Sequence, residues 1–250
     1  MKTLRELIGI GDQVKQQPIQ EKTQEERDYW QYVYSTRKPT NKRLPAPLTQ
    51  VMAYEQARTH MGEIMQERAA HLSQVYGRTF KWAWTQEQKQ VIQQLLEWAI
   101  NDEDSNIPLQ RGVFLYGSVG TGKSEIMQML QVFCERHNEN KYFEITNISE
   151  MYTDARMSKD YDMRGAITLS RCFDEFGRQS GSVMLFGNAV DVNEAIIEQR
   201  YNRMNAYGQI THFVSNATPD DIRQIISPMA FDRLRSMCTP LLMPGISHRQ

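Results

Sequence analysis

The chain has 250 residues, 40% of them hydrophobic, with 29 Lys+Arg against 30 Asp+Glu and a formal net charge of -1. That length suits one α/β domain with an appendage, and that composition excludes wholesale disorder. The near-neutral balance excludes a globally basic nucleic-acid binder, so any DNA contact has to come from a local patch.

Taken in chain order, the first 20 residues carry no clear period. Residues from Glu21 to about Arg37 read as a helix with an aromatic cluster at Tyr29, Trp30, Tyr32 and Tyr34. Lys38 to Leu48 holds three prolines and breaks it. Val51, Tyr54, Met61, Met65, Leu72 and Val75 then recur at helical steps, and Tyr76-Gly77 supplies the stop. This stripe is either core or a partner-docking face. Residues 1–78 are accordingly read as a helical N-terminal docking region and 79–250 as the main domain. Thr85 and Gln88 have capping-box spacing, and Val91, Leu95, Trp98 and Ala99 give the next helix its apolar face. From Arg111 onward, short apolar runs alternate with helical patterns, the signature of a parallel sheet covered by helices. The runs are Val113–Tyr116, Tyr142–Ile145, Leu169–Phe173, Ile210–Val214 and Leu241–Met243. No window is apolar enough to span a bilayer, the N-terminus lacks a signal-peptide core, and the cysteines Cys134, Cys172 and Cys238 form no C-x-x-C pair. A cytoplasmic location is the expectation.

Gly117-Ser118-Val119-Gly120-Thr121-Gly122-Lys123-Ser124 fits G-x-x-x-x-G-K-[ST]. Glycines let the backbone turn so that its N–H groups converge on phosphate oxygens, and the following helix adds its positive end. Lys123 then pairs with β/γ-phosphates, and the Ser124 hydroxyl holds Mg²⁺. The rival reading is a Gly-rich turn with an accidental lysine. The apolar run before the motif and the helical pattern after it argue against that. The segment Leu169-Ser-Arg-Cys-Phe-Asp174-Glu175 puts two acids at a strand end: Asp174 for Mg²⁺ through water, Glu175 to polarise the attacking water. Ser170 and Arg171 interrupt what is usually an unbroken apolar strand.

With both motifs placed, the chain from about Thr79 to Arg249 resembles the AAA+ ATPases of the DnaC-like helicase-loader and IstB-like transposition-helper family. The resemblance implies an α/β P-loop NTPase (AAA+) fold: a parallel sheet flanked by helices, a helical N-terminal region and little or no C-terminal lid. It implies ATP and Mg²⁺ as ligands. Phe-Val-Ser215-Asn216 looks like the family's sensor-1 strand end, and a turn asparagine is the alternative. Arg200, in Ile196-Ile-Glu-Gln-Arg-Tyr201, either faces a neighbouring subunit or is a solvated helix charge. Phe231-Asp-Arg233-Leu-Arg235 is similar to the family's arginine-finger segment, with Arg233 as the trans-acting residue and Arg235 in reserve. Gly245-Ile-Ser247-His248-Arg249 resembles the closing G-x-S-aromatic-R signature, with His248 in the aromatic place and Arg249 as a sensor-2-like phosphate contact. The resemblance also implies an oligomer, DNA binding (single-stranded favoured, duplex possible), and a replicative helicase or transposase as partner. Arg156, Lys159 and Arg164 are candidate DNA contacts, diluted by Asp154, Asp160 and Asp162. Two other classes remain: a small-molecule kinase, and a scaffold that binds ATP without hydrolysing it.

Overall fold

The computed structural model describes residues 48–157, 168–178, 182–185 and 188–245. The expected helix at Glu21–Arg37, the cations Lys159 and Arg164, and Ser247, His248 and Arg249 lie outside the described residues, as does the side chain of Arg156.

Helix α1 (Tyr54–Tyr76) stops at Gly77, whose φ of 62° is the left-handed cap that the Tyr-Gly pair signals. Helix α2 (Gln86–Ala99) opens on the expected capping box: the Thr85 side chain accepts from the Gln88 N–H, and the Gln88 side chain accepts from the Thr85 N–H. Strand β1 (Gly112–Tyr116) leads through the glycine-rich loop into α3 (Lys123–His137). Then come β2 (Glu144–Asn147), α4 (Ile148–Met157), β3 (Arg171–Asp174), the antiparallel pair β4 (Ser182–Leu185) and β5 (Asn188–Asp191), and α5 (Val192–Tyr207). The chain continues as β6 (Thr211–Ser215), α6 (Pro219–Ile225), α7 (Pro228–Met237) and β7 (Cys238–Leu242).

Five strands form one sheet in the order β2-β3-β6-β1-β7, every pairing parallel. The strand period of two sends alternate side chains to opposite faces. Val113, Leu115, Cys172 and Val214 point into the core built with α1, α2 and α3. Phe114, Phe173 and Phe213 point into the core built with α4, α5, α6 and α7. Each fully buried Val, Leu or Phe side chain among these contributes about 1.5–3 kcal/mol. The stripe is core only in part: Met61 and Leu72 are buried, with Ala57 and Ile64 beside them, Tyr54 and Met65 are half-buried, and Val51 and Val75 are exposed, while Ala57, Met61 and Ile64 join the cluster shared with α3. Among the described residues no helix is long and apolar enough to cross a membrane.

Three strands depart from the apolar runs by two residues or more at one end. The second strand lies at Glu144–Asn147 rather than Tyr142–Ile145, because its register is set by β3: Glu144 pairs with Arg171, and their side chains form an ion pair at 2.7 Å. This also accounts for the polar Ser170 and Arg171. Ser170 precedes the strand, and Arg171 reaches across to Glu144 and to the Thr146 hydroxyl at 2.9 Å. The last strand begins at Cys238, three residues before the run Leu241–Met243. Its Pro240 hid it. A proline cannot donate to a ladder, but β7 is an edge strand, where that loss is tolerated.

Candidate nucleotide site

The loop between β1 and α3 is wound on glycines that no other residue replaces without strain. Gly117, Gly120 and Gly122 have φ of 150°, 83° and 88°. A Cβ on Gly117 would stand 2.3 Å from the Met243 carbonyl oxygen. Lys123, first residue of α3, is 5% exposed. Its Nζ donates to the carbonyls of Gly117 at 2.9 Å and Ser118 at 2.7 Å, so the ammonium is held at the mouth of the loop. Thr121 is fully buried and donates from Oγ1 to the Ser118 carbonyl at 2.9 Å.

The end of β3 comes to the same place. The Ser124 hydroxyl donates to Asp174 Oδ1 at 3.1 Å, and that oxygen also accepts the Glu175 N–H at 2.9 Å. Burial raises the Asp174 carboxyl, against the opposing effect of these two bonds. Glu175 adopts a left-handed φ of 61°, an unusual conformation for a side chain of its size. Its Oε2 accepts from the Ser149 hydroxyl at 2.8 Å, and its other oxygen pairs with Arg178. Burial acts upward on this carboxyl, but the bonds from Ser149 and Arg178 outweigh it and hold Glu175 below the usual range. Glu175 is therefore ionised at neutral pH. Asn216 follows β6 directly and is exposed toward the cleft.

These elements enclose a cleft of about 1320 Å³ whose lining includes Lys123, Ser124, Asp174, Glu175 and Asn216. The lining also carries an aromatic cluster, Phe80, Trp82 and Trp84, the two indoles stacked at 5.0 Å and 7° and Trp84 lying against Gly122 of the loop. The convergence of loop glycines, a buried lysine and a helix start fits the phosphates of a nucleotide. The Ser124 hydroxyl beside the Asp174 carboxylate is a hard-oxygen pair that fits Mg²⁺.

Arg233 is not among the cleft's lining residues. It sits on α7, 5.4 Å over the Tyr201 ring and 3.7 Å from Glu198. Arg200 corrects both sequence expectations, since it is neither solvated nor turned to a neighbour. It is 0% exposed and donates to Thr211 Oγ1 at 2.8 Å, the Leu169 carbonyl at 2.8 Å and the Ile210 carbonyl at 2.9 Å. It staples the starts of β3 and β6. Burial lowers its guanidinium to about 10. Sequence reasoning missed Ser149 and Arg178 as holders of Glu175. The Glu175-x-x-Arg178 spacing was the available signal for one; nothing marked Ser149.

No family model matches the chain, and no curated protein matches it. Solved structures do. One from Streptococcus pyogenes serotype M3, described as a proposed primosome component, superposes with a TM-score of 0.50 at 15% identity, over 66% of this chain and 84% of that one. The fold is that of a P-loop AAA+ domain. The structure of DnaI gives a TM-score of 0.49 at 16% identity over 64% and 84% of the two chains. That of the DnaC helicase loader gives 0.48 at 12% over 65% and 93%. At these identities the likeness is one of fold, and the roles of residues in this domain rest on their own geometry.

Proposed function

We propose that this chain is an ATPase of the AAA+ class that acts in DNA replication as a DnaC-like helicase loader. The observation that carries the reading is one cleft joining Lys123 and Ser124 of the loop, Asp174 and Glu175 at the end of β3, and Asn216 at the end of β6. The fold likeness to a proposed primosome component supports the replication setting. Gly117 to Ser124 bind the phosphates of ATP, and Ser124, with Asp174 through water, would hold Mg²⁺, which would supply charge neutralisation on the phosphates. Glu175 orients a water and accepts its proton, and Asn216 fixes that water or the γ-phosphate. Arg233 reaches the nucleotide of a neighbouring copy, so that ATP sits at a subunit interface and its binding is linked to assembly. Arg249 adds a sensor-2-like phosphate contact. The region 1–78 docks the helicase partner, and residues 79–250 form the ATPase domain on single-stranded DNA in the cytoplasm. With Met61 and its neighbours buried in the core, docking falls to the outer face of α1 and to the residues before it.

The test is ATP turnover by the wild type and by Glu175→Gln, paired with binding of single- and double-stranded DNA in the presence of Mg²⁺ and a slowly hydrolysed ATP analogue. Loss of turnover with retained ATP binding is expected for the variant, and ATP-dependent preference for single strands for the wild type. Equal turnover removes Glu175 from the chemistry. A preference for duplex with filament formation replaces the loader by an IstB-like transposition helper that recruits a transposase.

A further inference from the structure

Gln88 does more than cap α2. It is 0% exposed, and its Oε1 accepts the Thr85 N–H at 3.0 Å to complete the capping box. A cap needs only that oxygen, and Glu serves as well as Gln. The amide nitrogen has other work. Nε2 donates to the Pro244 carbonyl at 2.9 Å and reaches the Thr121 carbonyl at 3.5 Å. These acceptors come from segments far apart in sequence. Thr121 is in the phosphate loop, with Oγ1 3.4 Å from Lys123 Nζ. Pro244 follows Met243, whose N–H donates to the Tyr116 carbonyl at 2.7 Å.

The fit around that amide is tight. Gly245 has a φ of 119°, and a Cβ there would stand 2.8 Å from Gln88 Nε2. The entry to the loop is pinned in the same region, because Gly117 lies against the Met243 carbonyl closely enough to exclude a Cβ. The loop is thus seated on the Met243–Gly245 turn at both ends: by direct backbone contact at Gly117, and through the Gln88 amide at Thr121.

We propose that Gln88 is a positioning residue of the phosphate site. Its amide N–H₂ holds Thr121 and Pro244 in one register, so that the loop's N–H groups already converge before the phosphates of a nucleotide arrive. The proposal rests on the reading of the loop as a nucleotide site. Its physical basis is preorganisation: donors held in place cost nothing to align when an anion binds.

The experiment uses the full chain and titrates Mg²⁺ with a fluorescent ATP analogue at about pH 8 and about pH 5.5, conditions on either side of a burial-raised carboxyl. Gln88→Glu keeps the cap acceptor but sets a carboxylate against two carbonyl oxygens. Its affinity is expected to fall about tenfold or more relative to wild type at the higher pH. The deficit should shrink to within about threefold at the lower pH, where the carboxyl is protonated and can donate again. Gln88→Met, neutral and without a donor, should bind more weakly at both values with no recovery. An equal deficit at both values for Gln88→Glu is what general damage produces and overturns the proposal, as does wild-type affinity in Gln88→Met. If Gln88→Glu fails to fold, Gln88→Met decides alone. Failure of the wild type to bind the analogue, or unimpaired binding by Lys123→Ala, refutes the nucleotide reading itself and is told apart from the other outcomes.

Discussion

Gly122→Ala is the sharpest probe of the phosphate loop, because the structure gives the size of the insult. Gly122 is the N-cap of α3 with φ 88° and ψ 13°. An L-residue held in the left-handed region costs about 1–2 kcal/mol. The new Cβ would lie 2.7 Å from Trp84 Cη2 and 2.8 Å from Cζ3, whereas ordinary contact begins at 3.4 Å, so ring and loop must part by about 0.7 Å. Trp84 is stacked on Trp82, whose Nε1 is bound to the Met65 carbonyl at 2.7 Å and whose ring meets Phe80 edge-on at 4.8 Å. Moving the ring disturbs a stack that contributes about 0.5–1.5 kcal/mol. The sum, about 2–3 kcal/mol, falls on the loop conformation that binds phosphate, and corresponds to about 30- to 150-fold weaker nucleotide binding. Titration with Mg²⁺ and an ATP analogue measures it. Adding Trp84→Leu removes the steric part and leaves the backbone part, so the double variant should recover about 1 kcal/mol, a factor of about five. Binding by Gly122→Ala within about threefold of wild type, a difference under 1 kcal/mol, refutes the reasoning.

Lys141 is 1% exposed, its Nζ 4.1 Å over the Trp98 ring and bonded to the Leu109 carbonyl. Burial pulls its ammonium down to about 7 from 10.5. The unfolded chain then binds more protons between those values, so stability rises with pH through that window and the penalty is complete below it. From about pH 7 to about pH 9 the gain from this group is about 2 kcal/mol, and Lys141→Met should abolish it in urea unfolding. Parallel profiles for the two proteins would remove Lys141 from the account. Arg200→Met should lower stability by about 3 kcal/mol by orphaning two buried acceptors, on Thr211 and Ile210, and a part-buried one, the Leu169 carbonyl, and an unchanged unfolding midpoint would contradict its burial. Arg233→Ala, by contrast, should bind ATP normally yet turn it over poorly. Mixing with Lys123→Ala should restore turnover; normal turnover by Arg233→Ala alone places the finger elsewhere.

What could be read along the chain was local. The loop Gly117–Ser124, its flanking strand and helix, the Thr85–Gln88 cap and the Gly77 stop each lie within one turn or one strand, so residue type and spacing carry them. Asp174 and Asn216 were legible for a related reason: in a parallel sheet, strand ends gather on one edge whatever the strand order. The paired β4–β5 strands were not foreseen, since neither Ser182–Leu185 nor Asn188–Asp191 stood out among the apolar runs.

Tertiary structure decided the partners. An arginine on a helix is solvated by default, and only the meeting of β3 with β6 brings the Leu169 and Ile210 carbonyls around Arg200. Met61 became core because α1 lies against α3, a choice its own stripe left open. Pro240 could stand in a strand only because β7 is an edge. The Gln88 oxygen was foretold by its spacing to Thr85; the use of its nitrogen was not, since its acceptors lie 33 and 156 residues away. Backbone geometry determines contacts within a turn, whereas contacts across such distances exist only once the sheet order has closed the chain around them.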